Sequence, residues 1–258
     1  DVAPSRGLGD VYKRQIMKHT LLIKDWLSSF LSLLFPHCCV VCGRPLAKGE
    51  ECICTVCNIN LPRTNYHLRK DNPVERLFWG QIPLERATSF FFYEKGSDFR
   101  LILHRLKYGG QKEIGAIMGR YMAAELLSSN FFQGIDVIIP IPLHKKKQQI
   151  RGYNQSEWIA RGIAAVTGIP IDTESILRKK NTETQTRKSV FERRDNVEGI
   201  FELQHPETLA GKHILIVDDV LTTGSTTLAC ASCLVNVEGI RISICLLYTS
   251  DAADDMQC

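Results

Sequence analysis

The chain has 258 residues, of which 44% are hydrophobic and 23% are charged, so it has enough apolar side chains for a sizeable core. This composition excludes collagen-like, low-complexity and wholly disordered proteins, and no apolar run is long enough to predict a membrane span. The net charge of +4 is compatible with an anionic ligand but does not by itself indicate nucleic-acid binding.

Both ends of the chain are predicted to be foreign to the protein. One coding of residues 10–15 has a reverse complement that, read one base in, encodes residues 245–250, as expected of a transposase adapter from a sequencing library. Neither end shows a hydrophobic period. We therefore expect two adapter-like, non-native segments outside the core, residues 1–16 and residues 245–258. The native chain would run from about residue 17 to residue 244, and removing both segments should leave folding nearly unchanged.

Residues 17–62 are predicted to hold a helix followed by a zinc ribbon. Apolar residues at helical spacing over 18–35 indicate an amphipathic helix that ends before Pro36. This helix would pack on its own protein or lie on a membrane surface.

Two CxxC pairs follow the predicted helix and are separated by eleven residues. Two tight turns that present four thiolates suit a tetrahedral Zn²⁺ site, which would be structural because all four ligands come from the protein. The ligands would be Cys39, Cys42, Cys54 and Cys57. Disulfides and buried structural cysteines are the alternatives, and Cys38 could replace Cys39. No secretory signal is recognised before the pairs, which predicts a cytoplasmic protein and disfavours disulfides.

From residue 84 to residue 244 the chain alternates between predicted strands and helices. The predicted strands cover 84–93, 137–139, 169–171, 200–203, 214–217 and 240–244. The predicted helices cover 98–107, 114–127, 154–166 and 226–235. This alternation, with a wholly apolar strand at 214–217, predicts an α/β domain with a doubly wound, mostly parallel sheet.

The segment after this apolar strand predicts a ligand site. Asp218 and Asp219 end the strand, and a loop of small and hydroxyl residues then opens a helix. The loop residues are Thr222, Thr223, Gly224, Ser225 and Thr226. Ligands of α/β proteins bind beyond the carboxyl ends of parallel strands, and the N–H groups at a helix start favour phosphate. The carboxylates would meet a hydroxylated or cationic group, and the alternative is a helix cap with an incidental acidic pair.

The segment VDDVLTTGST resembles the phosphoribosyl pyrophosphate (PRPP) signature of type I phosphoribosyltransferases. Further segments in the same order are similar to the ComF family of competence-associated proteins: FPHCCVVCGRPL, CTVCNINLP, IPIPLHKKKQQIRGYNQSEWIA and QTRKSVFERRDNVEGIF. The resemblance covers about residues 35–244 and implies a double zinc ribbon joined to a type I phosphoribosyltransferase domain. It also implies that Asp218 and Asp219 hold the ribose hydroxyls of PRPP, while residues 222–226 hold its 5′-phosphate.

Two basic segments would complete such a site. A predicted loop at 142–153 lies where related transferases place their pyrophosphate loop, and its candidate contacts are Lys145, Lys146, Lys147 and Arg151. The segment 178–194 lies where related enzymes close a flexible loop over PRPP, and its candidate contacts are Gln185, Arg187 and Arg193. The alternatives are a solvated charged loop for the first segment and a disordered surface stretch for the second.

The resemblance implies one of two functions. As a phosphoribosyltransferase, the protein would let a nitrogen nucleophile displace pyrophosphate from Mg²⁺-bound PRPP, in DNA uptake during natural transformation or in nucleotide metabolism. As a non-catalytic PRPP sensor or assembly module, it would act in the DNA-uptake machinery, near single-stranded DNA and a DNA-translocating ATPase. No residue in the sequence is identified as a general base, and the sequence does not predict the acceptor substrate.

Overall fold

The structure of the protein, a computed structural model, describes residues 36–94, 96–179 and 199–250. The predicted helix at 18–35, the segment 1–16 and the flexible-loop candidates Gln185, Arg187 and Arg193 lie outside these residues. The chain forms two compact units, one that extends to Thr55 and one that starts at Val56. The phosphoribosyltransferase-like part of the sequence belongs to the second unit.

Strands and helices alternate along the described chain. The strands are β1 (Leu84–Tyr93), β2 (Val137–Pro140), β3 (Ile176–Arg178), β4 (Phe201–Leu203), β5 (His213–Leu221) and β6 (Arg241–Ser250). The helices are α1 (Thr55–Ile59), α2 (Pro73–Arg76), α3 (Arg100–Tyr108), α4 (Glu113–Leu126), α5 (Lys145–Arg151), α6 (Gln155–Thr167) and α7 (Ser225–Ser232). None of the helices described here is long and apolar enough to cross a membrane.

A four-stranded parallel sheet forms the centre of the second unit, in the order β1-β6-β5-β2. β5 has a neighbour on each edge, and α6 and α7 pack against it, so residues 214–217 are fully buried. A strand covered in this way carries a continuous apolar run instead of an alternating pattern. The predicted α/β fold with a mostly parallel sheet is therefore confirmed.

Two predicted edge segments differ from expectation. The predicted strand at 169–171 is reduced to a single bridge between Ile171 and Ile138. β3 pairs with β4 in a separate antiparallel pair, and the sequence pattern predicted only the second of these strands. This pair forms a two-stranded sheet separate from the main sheet. It supplies one residue to the site described below.

Helices α4 and α6 contact each other directly through their backbones. A side chain on Gly119 would collide with the carbonyl oxygen of Ile159, and one on Gly162 would collide with that of Ala116. Only glycine permits such a close approach. The contact fixes α6, and the start of α6 contributes directly to the candidate site.

The predicted basic loop at 142–153 is wrong in part, because residues Lys145–Arg151 form helix α5. The imidazole of His144 accepts a hydrogen bond from the Lys146 N–H and caps the helix start, and Gly152, at φ 82°, ends it. Lysine and glutamine have straight side chains that favour a helix, so the local propensity supports this short helix once both caps are present.

The predicted separation of residues 245–258 from the core is wrong for residues 245–249, because β6 continues to Ser250. The side chains from Cys245 to Tyr248 are 0% exposed, and the strand pairs with both β1 and β5. A strand buried on both faces shows no hydrophobic period, so the missing period was no evidence against burial. The adapter-like coding of these residues stays a prediction.

Candidate functional site

A buried acidic pair lies near the carboxyl end of β5. Asp218 Oδ1 accepts two hydrogen bonds of 2.8 Å, one from the Ser156 hydroxyl at the start of α6 and one from the Asp219 N–H. The Oδ2 atom of Asp219 lies 3.0 Å from the ammonium nitrogen of Lys107 at the end of α3. Three elements distant in sequence therefore converge on two adjacent carboxylates.

Burial raises the pKa of Asp218 to about 7, and the neighbouring Asp219 charge adds to this effect. The Asp219 N–H, the Ser156 hydroxyl and Lys107 act in the opposite direction by stabilising the ionised form. Carboxylates with such displaced pKa values concentrate at functional sites, where the protein maintains them against their cost in stability.

The loop between β5 and α7 has the features of a phosphate site. Gly224 caps the start of α7 at φ 72°, a left-handed conformation that favours glycine. A Cβ atom at this position would lie 3.5 Å from the Phe78 ring, so the loop rests on the core. The hydroxyls of Thr223 and Ser225 are 2.8 Å apart. The first N–H groups of a helix have no partner within the helix and attract an anion.

The acidic pair and this loop line one cavity of about 410 Å³. Of the residues predicted from the sequence, those that line it are Asp218, Asp219, Thr222, Gly224, Thr226, Lys147 and Arg151. Thr223 and Ser225 belong to the loop but are not among the lining residues. The structure thus brings residues from β5, α5 and α7 together around a single space.

The four basic candidates on α5 separate from one another. Lys147 and Arg151 line the cavity with the acidic pair, whereas Lys145 lines a neighbouring cavity of about 430 Å³ and Lys146 lines neither. The guanidinium of Arg151 hydrogen-bonds Gln155 and lies 5.8 Å from the centre of the Tyr108 ring. Because an α-helix turns about 100° per residue, three consecutive lysines on it cannot face one ligand.

Several residues that line the cavity were missed by the sequence analysis, among them Lys107, Ser156 and Arg178. Each of these three lies at the end or start of an element, at the carboxyl ends of α3 and β3 and in the first turn of α6. Lys107 precedes Tyr108 and the breaker Gly109-Gly110, a position that could have drawn attention to it. Nothing in the local pattern distinguishes Ser156 or Arg178.

The four predicted zinc ligands form a cluster, and their Sγ atoms all lie within 4.8 Å of one another. Sulfurs 2.3 Å from a tetrahedral Zn²⁺ are about 3.8 Å apart, and the Sγ atoms of Cys42 and Cys54 are 3.7 Å apart. The Cys54 N–H donates to Cys39 Sγ over 3.3 Å, a contact that favours a thiolate. Cys39, Cys42, Cys54 and Cys57 can therefore hold a metal ion.

The structure decides between Cys38 and Cys39 as a member of this cluster. Cys38 is exposed and its thiol points to the Pro36 carbonyl at 3.4 Å, so Cys39 and not Cys38 belongs to the cluster. No disulfide joins any of the cysteines in the described part of the chain. The two CxxC pairs read from the sequence thus correspond to four sulfurs close in space.

Comparison with known proteins gives both a domain and full-length relatives. A family model described as phosphoribosyl transferase domain matches residues 155–257, from the start of α6 through the acidic pair and the phosphate loop. The chain is 31% identical over 233 residues to DNA utilization protein YhgH of Escherichia coli O157:H7, covering 84% of this chain and 99% of that protein.

Two further relatives have names that refer to competence. Competence protein F of Haemophilus influenzae is 31% identical over 130 residues, 49% of this chain and 57% of that protein. Competence protein ComFC of Bacillus subtilis is 25% identical over 211 residues, 80% of this chain and 75% of that protein. The similarity to YhgH covers 84% of this chain and therefore extends beyond the residues matched by the phosphoribosyl transferase domain.

Proposed function

Because the chain belongs to the ComF family, we propose that the cavity at the carboxyl end of β5 binds PRPP and that this binding serves DNA uptake or DNA utilization. One observation carries the proposal: a buried acidic pair and the start of a helix line the same cavity. A ligand with a diol at one end and a phosphate at the other matches these two chemistries.

The acidic pair would bind the ribose of PRPP. The carboxylates of Asp218 and Asp219 accept hydrogen bonds from the 2′- and 3′-hydroxyls, and such charge-assisted bonds are stronger than neutral ones. The residues from Thr222 to Thr226, with the first N–H groups of α7, hold the 5′-phosphate. Other polar side chains that line the cavity are then available for the third part of the ligand.

Lys147 and Arg151 are the residues that we assign to the pyrophosphate. Both line the cavity, and the guanidinium of Arg151 offers paired N–H donors for phosphate oxygens. Lys145 and Lys146 are not assigned to it, because α5 directs them elsewhere. Mg²⁺ would arrive with PRPP and reduce the charge of its pyrophosphate group.

The cysteine cluster would hold one structural Zn²⁺. Its donor set of four thiols leaves no open coordination position, which separates it from catalytic zinc sites. Thiols that bind metal persist in a reducing compartment, and on that ground we place the protein in the cytoplasm.

In the enzymatic form of this proposal, a nitrogen nucleophile displaces pyrophosphate at C1 of the ribose. The protein would contribute mainly by positioning both ends of PRPP and by stabilising the charge of the departing pyrophosphate through Lys147 and Arg151. In the alternative form, the same site reports PRPP to DNA-uptake partners, such as single-stranded DNA or a DNA-translocating ATPase. Release of pyrophosphate with a panel of bases and amines supports the enzyme, and binding without release for every acceptor supports the sensor.

The phosphate loop gives a sharp test of PRPP binding. Gly224→Val places a branched side chain in a left-handed position that must approach phosphate, so we expect calorimetry to show loss of both PRPP and ribose 5-phosphate binding. Free pyrophosphate, held by α5, should still bind weakly.

The acidic pair gives a second test of PRPP binding. Asp218→Asn with Asp219→Asn should weaken PRPP binding at least about tenfold, as measured by calorimetry.

Gly211→Val is the matched control. Gly211 has a similar φ of 70° with no atom within 4 Å of an added Cβ, so it carries the same backbone strain outside the cavity. We expect this variant to bind PRPP like the wild type. A wild-type protein with no PRPP binding at millimolar concentration in the presence of Mg²⁺ would refute the proposed ligand.

A further inference from the structure

Lys107 is a lysine that touches the acidic pair without belonging to any predicted motif. Its ammonium lies 3.0 Å from Asp219 Oδ2, and the two side chains are only 22% and 6% exposed. The residue sits at the carboxyl end of α3, where Gly109 ends the helix. A cation is thus held beside the carboxylates before any ligand arrives.

Several further groups face Asp218 from the elements packed around it. The Ser156 hydroxyl on α6 donates a hydrogen bond, and the guanidinium of Arg178 on β3 interacts with its charge. On α7, burial raises the pKa of the Cys230 thiol well above its usual value, so that thiol stays neutral. Lys107 also stabilises ionised Asp218, after the hydrogen bonds from the Asp219 N–H and the Ser156 hydroxyl.

The protonation state of this pair decides what it can bind. An ionised carboxylate only accepts hydrogen bonds, whereas a protonated carboxyl presents an O–H and loses acceptor capacity. A ribose diol needs acceptors on both carboxyl groups. Two buried carboxylates side by side tend to share a proton unless a cation compensates one of them.

We propose that Lys107 is a positioning residue whose charge beside Asp219 favours the ionised form of Asp218, so that both carboxylates can accept hydrogen bonds from the ligand's diol. This inference rests on the proposed PRPP function for the identity of the ligand. Lys107 acts through Asp219 and Asp218 and leaves phosphate binding to α5 and α7.

The proposal predicts a shift in pH dependence. Lys107 opposes the raised pKa of Asp218, so Lys107→Gln should raise that pKa further. For a shift of one unit from about 7, ribose 5-phosphate binding becomes about fivefold weaker at pH 7 and equals wild type near pH 9. Lys107→Arg keeps the charge and should restore the wild-type profile.

Two measurements test this prediction. Calorimetry gives ribose 5-phosphate affinity from pH 6.5 to pH 9, and the carboxyl ¹³C shift of labelled Asp218 gives its titration in the ligand-free protein. Asp218→Asn assigns the signal. Lys112→Gln is the matched control, because Lys112 stacks on the Trp158 ring at 4.7 Å and lies outside the cavity lining. If Lys107→Gln does not fold, Lys107→Met removes the charge without leaving a new hydrogen-bonding group.

The possible results distinguish the proposed role of Lys107 from the proposed PRPP function. A Lys107→Gln protein whose Asp218 midpoint equals that of the wild type overturns the role of Lys107, as does an affinity deficit that is the same at every pH. That second result would mean direct contact between Lys107 and the ligand. If wild-type protein binds neither ribose 5-phosphate nor PRPP, the proposed function fails, while the ligand-free titration still decides the role of Lys107.

Discussion

At the scale of single residues, the acidic pair shows a conflict between binding and stability. Asp218 is buried beside a second carboxylate, and burial of a charge without full compensation costs free energy of folding. The Ser156 hydroxyl and Lys107 reduce this cost without removing it, because the pKa of Asp218 remains raised to about 7. Such a residue is retained for what it binds and not for what it stabilises.

Asp218→Asn should therefore stabilise the protein above neutral pH. The folded-state pKa of about 7 exceeds the ordinary 3.8, so the folded protein binds more protons than the unfolded chain between these values. Its free energy of unfolding then falls as pH rises from about 4 to about 7 and stays low above that range. Asparagine does not titrate and so avoids this loss of unfolding free energy, which is at most about 4 kcal/mol. Denaturant unfolding at pH 4 and pH 8 measures it, with a gain expected at pH 8 alone.

Asp172→Asn is a control of opposite sign. Burial alone would raise the pKa of Asp172, but hydrogen bonds from Ser175 and from the Glu174 N–H outweigh it and lower the pKa below its ordinary value. That carboxylate stabilises the fold above its unfolded pKa, so its loss should cost stability at pH 8. An Asp218→Asn protein that is less stable than wild type at pH 8 would contradict the prediction.

At the scale of elements, β6 holds the sheet together. It lies between β1 and β5, and its second half pairs with the part of β5 that carries the acidic pair, with Leu246 opposite Asp218. Without this half of β6, no strand lies between β1 and β5 at that end of the sheet. The strand therefore supports the site as well as the core.

A chain that stops after Ile244 should fail to fold cooperatively. It loses the fully buried side chains of Leu246, Leu247 and Tyr248, each worth about 1.5–3 kcal/mol, and leaves the ends of β1 and β5 unpaired. The total approaches the whole stability of an ordinary domain. Thermal unfolding followed by circular dichroism measures the effect, with a chain ending after Ser250 as control. Equal melting temperatures for the two chains would show that residues 245–250 do not support the sheet.

At the scale of the whole molecule, the chain combines a four-cysteine cluster with a domain of the phosphoribosyltransferase type. The cluster lies in a stretch with few large apolar residues, so metal coordination would supply folding free energy that a small core cannot. The domain, by contrast, has an extensive core around its parallel sheet.

Purified protein should contain one tightly bound Zn²⁺ per chain. The double variant Cys54→Ser/Cys57→Ser removes two of the four ligands, and we expect strong loss of zinc because structural sites need all four. Elemental analysis of purified protein measures the zinc content. Cys38→Ser is the control, since Cys38 is exposed and outside the cluster, and it should retain full zinc. Full zinc occupancy in the double variant would refute these ligands.

The sequence by itself determined the features that are encoded within a few neighbouring residues. The two CxxC pairs, the apolar strand at 214–217 and the loop around Gly224 were all legible, because turns, buried strands and helix starts have local chemical requirements. The alternation of such segments was enough to predict the parallel sheet.

Only the tertiary structure decided which distant residues meet. Ser156 and Asp218 are 62 positions apart, and nothing in the local pattern places Ser156 or Arg178 beside the acidic pair. The choice of Lys147 over Lys146 follows from the turn of α5, and the burial of residues 245–248 follows from neighbours on both edges of β6. The local pattern indicates which secondary structure or turn a segment can form, whereas side-chain partners depend on how the whole chain packs.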